Sequence, residues 1–153
     1  MNAEDKILKL KSDPSGRLLI DGETLEVAPC FPWEDPYKFL SLRNDEGKEV
    51  ILIRDIKDVN QELYSLIQKE LERRNFVFRI KRIDEIEDGH EVREYHVSTE
   101  QGLRTIMTEQ EDWPSELEDG SFLIKDLSGD YYRIPSLDEL DSSSKKKILP
   151  YIG

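Results

Sequence analysis

Glu94 and His96 stand two positions apart, so on an extended strand both side chains leave the same face and the carboxylate can orient the imidazole for proton transfer. This is the weak acid/base candidate of the chain. The bland alternative is a surface imidazole beside a glutamate: His96 alternates with Tyr95 and Val97, and if those two face a core it faces water. The other histidine, His90, lies about 20 Å away if the strand is straight, at roughly 3.3 Å per residue, too far to share a metal ion. Cys30 is the sole cysteine, which excludes an internal disulfide and every multi-thiolate metal cluster. Its neighbours Pro29, Phe31, Pro32 and Trp33 include no base or cation, so it reads as a small buried hydrophobe rather than a nucleophile.

The remaining chemistries are thinner still. Ser142, Ser143 and Ser144 precede three lysines in a helix-forming stretch and read as a solvated face without a partner base. The glycines are never closer than six positions, which excludes phosphate-cradling loops and dinucleotide fingerprints. Asp126 to Asp130 lacks the alternating ligands of a calcium loop and reads as a hairpin turn. Carboxylates are so numerous that their spacing alone supports neither a glycosidase nor a two-metal site. We therefore expect no catalytic residue, no metal and no cofactor, with a cryptic carboxylate-dependent enzyme kept as the weakest alternative.

Binding residues are better represented. Arg79-Ile80-Lys81-Arg82 has the alternation of a strand with one wet face, which could anchor an acidic partner segment through Arg79 and Lys81. Trp33 sits in a proline-rich loop, Trp113 in the acidic stretch Glu109 to Asp119, the segment expected to be most mobile. The turn Glu100-Gln101-Gly102 and Asp126 complete the candidate interaction residues.

These residues need a scaffold. A chain of 153 residues with 37% hydrophobic content fits a single domain, with residues 1–12 as a flexible N-terminal segment. Asp21-Gly22 separates Arg17–Ile20 from Glu23–Val27 and predicts a two-residue type I′ hairpin. Further hairpins are expected for 37–43 with 49–54, for 91–99 with 103–107, and for 122–124 with 131–134. Val59, Leu63, Leu66, Ile67 and Leu71 share one face of a helix, with Asp58 as its expected N-cap. A second helix is expected from a Ser136–Glu139 capping box, ending before Pro150. The fold class is α+β: a mainly antiparallel meander with one central and one C-terminal helix.

Charge bounds the partners. With 22 basic and 34 acidic residues the net charge is −12, which disfavours nucleic acid and anionic membranes. The N-terminal residues are too charged for a signal peptide, and no stretch reaches the ~20 apolar residues of a membrane span. A cytoplasmic location without membrane insertion is expected.

Several motifs are familiar together: Phe31-Pro32 with Pro36, Gly47-Lys48-Glu49, Leu71 with Phe76, the strand Ile80 to Ile83, Val97-Ser98-Thr99 with Gly102, Ile124-Lys125-Asp126 with Gly129, Tyr132-Arg133-Ile134, and Leu140-Asp141 with Ser144-Lys145. In order and spacing they resemble a bacterial domain-of-unknown-function family associated with cyanophycin metabolism, whose relatives also occur as appendages of ABC-type exporters. The chain departs from that pattern with Tyr95 in place of a tryptophan and Glu100-Gln101 in place of Asp-Arg. The resemblance implies an accessory role beside other proteins and carries no catalytic residues with it; the expected partner is a protein, with a homo-oligomer as the other form of association. A non-enzymatic binding or regulatory module is thus the leading expectation. The alternative is a binder of arginine-containing peptide or polymer, held by the acidic surface.

Overall fold

The computed structural model describes residues 3–152, of which the side chains are described from Asp5 onward. The chain divides into two compact units, Met1–Phe76 and Val77–Gly153, at a point where no proline- or glycine-rich linker marks the sequence.

The first unit opens with helix α1 (Ala3–Leu8) and continues as strands β1 (Lys11–Ser12), β2 (Leu18–Ile20), β3 (Glu23–Pro29), β4 (Lys38–Arg43) and β5 (Glu49–Asp55), which form an antiparallel sheet in sequence order. Asp21 and Gly22 both have positive φ, 48° and 81°, as the type I′ turn requires. Leu18, Leu25, Val27, Leu40 and Leu42 are fully buried, which follows from the alternation along these strands. Helix α2 (Gln61–Arg73) is capped by Asn60, whose Oδ1 accepts the Leu63 amide at 2.9 Å. The expected cap, Asp58, instead ends a 3₁₀ turn over Ile56–Asp58, so the helix starts two residues later, where an extended backbone lets a side chain reach the third helical amide. The helix closes with Asn75 at φ 62°, the Phe76 amide donating to Leu71 and the Asn75 amide to Glu72, a Schellman end that satisfies two terminal carbonyls.

The second unit carries β6 (Phe78–Asp88), β7 (Val92–Thr99), β8 (Gly102–Glu109), β9 (Ser115–Glu116), β10 (Phe122–Lys125) and β11 (Tyr131–Ile134), followed by helix α3 (Ser142–Ile152). Their order in the sheet is β8-β7-β6-β11-β10-β9. All pairings are antiparallel except β11 with β6, which is parallel, a long-range pairing that no local pattern announces. The α+β class stands as read. On β6 the simple alternation fails. Register shifts between Ile80 and Arg82 and between Ile83 and Glu85 insert two bulges, so Ile80 and Ile83 both enter the core and Lys81 and Arg82 both stay exposed.

The C-terminal helix also differs from expectation. Ser136 makes no side-chain cap, Leu137–Glu139 form a 3₁₀ turn, and Leu140 turns extended and buries itself. The helix begins at Ser142 with Asp141 as cap, accepting the Ser144 amide at 3.1 Å. It runs through Pro150 rather than stopping before it. Ser144 is fully buried, not solvated: its hydroxyl donates to Asp141 and accepts the Ile83 amide at 2.8 Å. That amide lies beside a bulge, where the ladder cannot use it, so Ser144 docks α3 onto β6 by supplying the missing acceptor.

Candidate functional site

Strand β7 displays both of its faces to chemistry. Arg93, Tyr95, Val97 and Thr99 point inward and are buried, while Glu94, His96 and Ser98 point outward. On the outer face Glu87 of β6 pairs directly with Glu94. His96 Nε2 lies 3.8 Å from Glu87 Oε2 and 3.9 Å from Glu94 Oε2. Thr105 of β8, the cross-strand partner of His96, sets its hydroxyl 3.2 Å from Nδ1. Glu94 and His96 are thus neighbours on this face, and Glu87 stands beside them. Periodicity could not have named Glu87, because the bulge at Ile83/Glu85 sets its facing. An open cleft of about 460 Å³ adjoins the group, lined by Glu87, Asp88, Gly89, His90, Glu91, Val92, Glu94 and Met107. The setting is strongly acidic: between Asp84 and Asp119 thirteen carboxylates accompany two arginines, Arg93 and Arg104.

The inner face holds a residue that sequence reasoning missed. Arg93 is 3% exposed. Its guanidinium donates to Asp88 Oδ1 at 2.8 Å and to the carbonyls of Gln110 and Asp112 at 2.9 and 3.2 Å. The rings of Trp113 and Tyr151 lie against it, with centroids at 4.6 and 4.8 Å. Tyr151 Oη in turn donates to Asp88 Oδ2 at 2.8 Å, and this bond and the guanidinium hold the Asp88 carboxyl below its usual range. Trp113 is thus 56% exposed on one side and stacked on the other. The acidic loop around it is pinned through its carbonyls, and Ser115–Glu116 adds an edge strand to the sheet.

Asp126 serves the fold. One carboxylate oxygen accepts the Met107 amide at 2.9 Å, the other the Ser128 amide at 2.6 Å and the Ser128 hydroxyl, while the Leu127 amide donates to Met107 O. Burial pushes its carboxyl up, but these donors outweigh it and hold the group below the ordinary aspartate range. The turn residues come together: Lys81 Nζ reaches Glu100 Oε1 at 3.2 Å, and Thr99 Oγ1 accepts the Gln101 amide and donates to Gly102 O. Gly102 has φ 98°, which explains the glycine without a ligand. Arg79 is half-buried opposite Arg133 in the parallel pair.

Trp33 belongs to the first unit. It is 61% exposed and packs edge-on to Phe31, with centroids 6.2 Å apart, and Phe31 meets Phe39 in the same manner at 5.9 Å. Phe39 adopts φ 51°, a left-handed backbone that a bulky side chain rarely takes. Cys30, beside this cluster, is half-buried and not the fully buried hydrophobe expected. A separate cleft of about 330 Å³ includes Arg17, Arg43 and Arg74 in its lining, but Arg74 is already engaged by Glu26 at 3.3 Å and by Val27 O.

Residues 23–151 match a domain of unknown function, DUF1854. The chain belongs to this family. Neither the curated proteins nor the solved structures contain a match to it. In this DUF1854 chain no described helix is long and apolar enough to cross a membrane.

Proposed function

We propose that this DUF1854 chain is a non-enzymatic binding or regulatory module that acts beside a protein partner in the cytoplasm. The association of similar domains with cyanophycin metabolism and with ABC-type exporters gives the setting. The observation that carries the reading is the aromatic cluster of Phe31, Trp33 and Phe39, each at least 42% exposed. Aromatic side chains at such exposure are what partner surfaces are built around. Phe39 adds a backbone in a costly left-handed region, φ 51°. The nearby Glu34 and Asp35 suit a partner segment that brings cations to aromatic faces.

The test compares the protein with a Phe31→Ser/Trp33→Ser double variant in affinity capture from the native host, together with its sedimentation. A partner or self-association lost in the variant and kept in an Arg79→Ser control supports the reading. Capture that is equal for both proteins, or no association in either, refutes it.

A second reading rests on the acidic outer face of β6 and β7, where carboxylates could hold guanidinium groups in bidentate fashion. It predicts binding of an Asp-Arg dipeptide or of the arginine-bearing polymer, seen by calorimetry at low salt and weakened as salt is added.

A further inference from the structure

We infer that Glu87, Glu94 and His96 form a binding site for a divalent transition-metal ion of the Zn²⁺ class, on the outer face of the β6-β7-β8 sheet. One oxygen of each carboxylate and one imidazole nitrogen lie within 4.8 Å of one another. The nitrogen-to-oxygen distances of 3.8 and 3.9 Å are close to the separation of two ligands sharing one metal at roughly 2.1 Å each.

Three features point the same way, the third being the cause of the second. The first is tautomer control: with Nδ1 carrying the proton and donating to Thr105 Oγ1, 3.2 Å away, Nε2 keeps its lone pair directed at the two glutamates. A hydroxyl behind a ligating imidazole is the outer support that metal histidines use. The second is electrostatic. Glu87 and Glu94 are directly opposite across an antiparallel pair, a placement that repels when both are ionised. His96 is the only ion-pair partner of either carboxylate among the described residues, so a bound dication would relieve a repulsion the sheet otherwise carries. The third is the bulge between Ile83 and Glu85, which sets Glu87 opposite Glu94 instead of one place out of phase. All three ligands stand on strands, so the sheet ladder fixes their backbones.

One imidazole and two carboxylates suit Zn²⁺ and its neighbours better than the all-oxygen shells of Ca²⁺ and Mg²⁺. Three protein ligands leave at least one coordination position to water or to a donor group from the adjoining cleft.

Calorimetry of the full chain with ZnCl₂ tests the assignment, beside His96→Gln, Glu87→Gln and Glu94→Gln, with His90→Gln as control and circular dichroism to verify folding. The expected result is one equivalent bound, weakened at least tenfold in each of the three ligand variants and unchanged in His90→Gln and by excess Mg²⁺. Thr105→Val, which keeps the shape and removes the hydroxyl, should weaken binding about tenfold, and Co²⁺ should give a d–d spectrum that His96→Gln abolishes. Zn²⁺ binding that survives His96→Gln or is lost in His90→Gln overturns the assignment. So does binding of an arginine peptide to this face with no Zn²⁺ bound. A partner interaction through Phe31 and Trp33 is read separately, so its loss leaves this result standing.

Discussion

Replacing Arg93 by methionine keeps most of the aliphatic stem and removes only the guanidinium, so the loss can be worked from its contacts. Three hydrogen bonds go, to Asp88 Oδ1 and to the carbonyls of Gln110 and Asp112. A hydrogen bond to a charged group is worth about 1.5–3 kcal/mol. Because the Asp88 side chain is 44% exposed and the two carbonyls belong to loop residues that water can reach, about 1 kcal/mol each is the better figure. Two cation–π contacts, with Trp113 and Tyr151, add about 0.5–1 kcal/mol each, and the more apolar methionine returns part of the sum. The net loss is roughly 3 kcal/mol. For a unit of this size that lowers the melting temperature by about 12–24 °C. Urea unfolding followed by far-UV circular dichroism measures it. Emission of Trp113 in a Trp33→Phe background reports the loop itself, and should shift to the red as the ring loses its stack. A loss below about 1 kcal/mol with unchanged Trp113 emission would mean that water replaces the guanidinium without penalty, and that the loop is held by other contacts.

Other outcomes follow from the same geometry. Ser144→Ala leaves the buried Ile83 amide without its acceptor and should cost about 1–3 kcal/mol, measured by urea unfolding, whereas Ser143→Ala, on the exposed side of the helix, should cost almost nothing. Asn60→Ala removes the cap of α2 and should cost about 1 kcal/mol. Gly89→Ala would put a methyl group 2.9 Å from Val92 O; the β6–β7 turn should shift and the neighbouring amide resonances with it, while an unmoved spectrum would contradict the packing described. As for pH, Asp88 and Asp84 are held below the ordinary aspartate range by Tyr151 and Arg93 and by Arg82 and Ser98, and Asp141 by Ser144. A carboxyl with a lowered folded-state value contributes stability above its unfolded value and loses it as pH falls through the folded one. Stability should therefore be level near neutrality and decline below about pH 4, and a midpoint denaturant concentration that rises on acidification would contradict these pairings.

Local chemistry was legible where one residue decides the backbone. Asp21-Gly22 announced its turn because few other pairs accept two positive φ values in succession, and the 91–99 and 103–107 pairing followed from a short turn and alternation. What could not be read depends on partners far away in sequence. The parallel pairing of β11 with β6 and the two bulges on β6 have no signal of their own, and with them went Glu87, whose facing the second bulge sets. The caps were misplaced for a related reason: Asp58 and Ser136 have the right side chains, but 3₁₀ turns intervene at 56–58 and 137–139, and Asn60 and Asp141 are the residues that accept the amides of the first helical turns. Arg93 was overlooked because an arginine in the charged run Glu91-Val92-Arg93-Glu94 looks like surface, until Trp113 and Tyr151 enclose it from distant segments.

The period of two along β7 makes the proposed ion site separable from the fold. Arg93 and Tyr95 face inward with the loop and the terminal helix upon them, and Glu94 and His96 face outward on the same few residues of backbone. Substitutions at 93 should therefore unfold before they affect any ligand, while Gln in place of Glu94 or His96 should change ligand binding with little effect on stability. Such a strand can lose or exchange its outer ligands without disturbing its inner packing, since among the described residues the polar partners of Glu94 and His96 are Glu87 and Thr105, on the same outer face. Glu87→Gln offers the sharpest check. It removes one of two opposed charges, so without metal the variant should be slightly more stable than the parent, by a few tenths of a kcal/mol at this exposure, and with Zn²⁺ the order should invert. Parent and variant compared in urea at low salt, with Zn²⁺ and with chelator, read both signs in one experiment. An unchanged order in the two conditions would show that the opposed glutamates are not there to meet a cation.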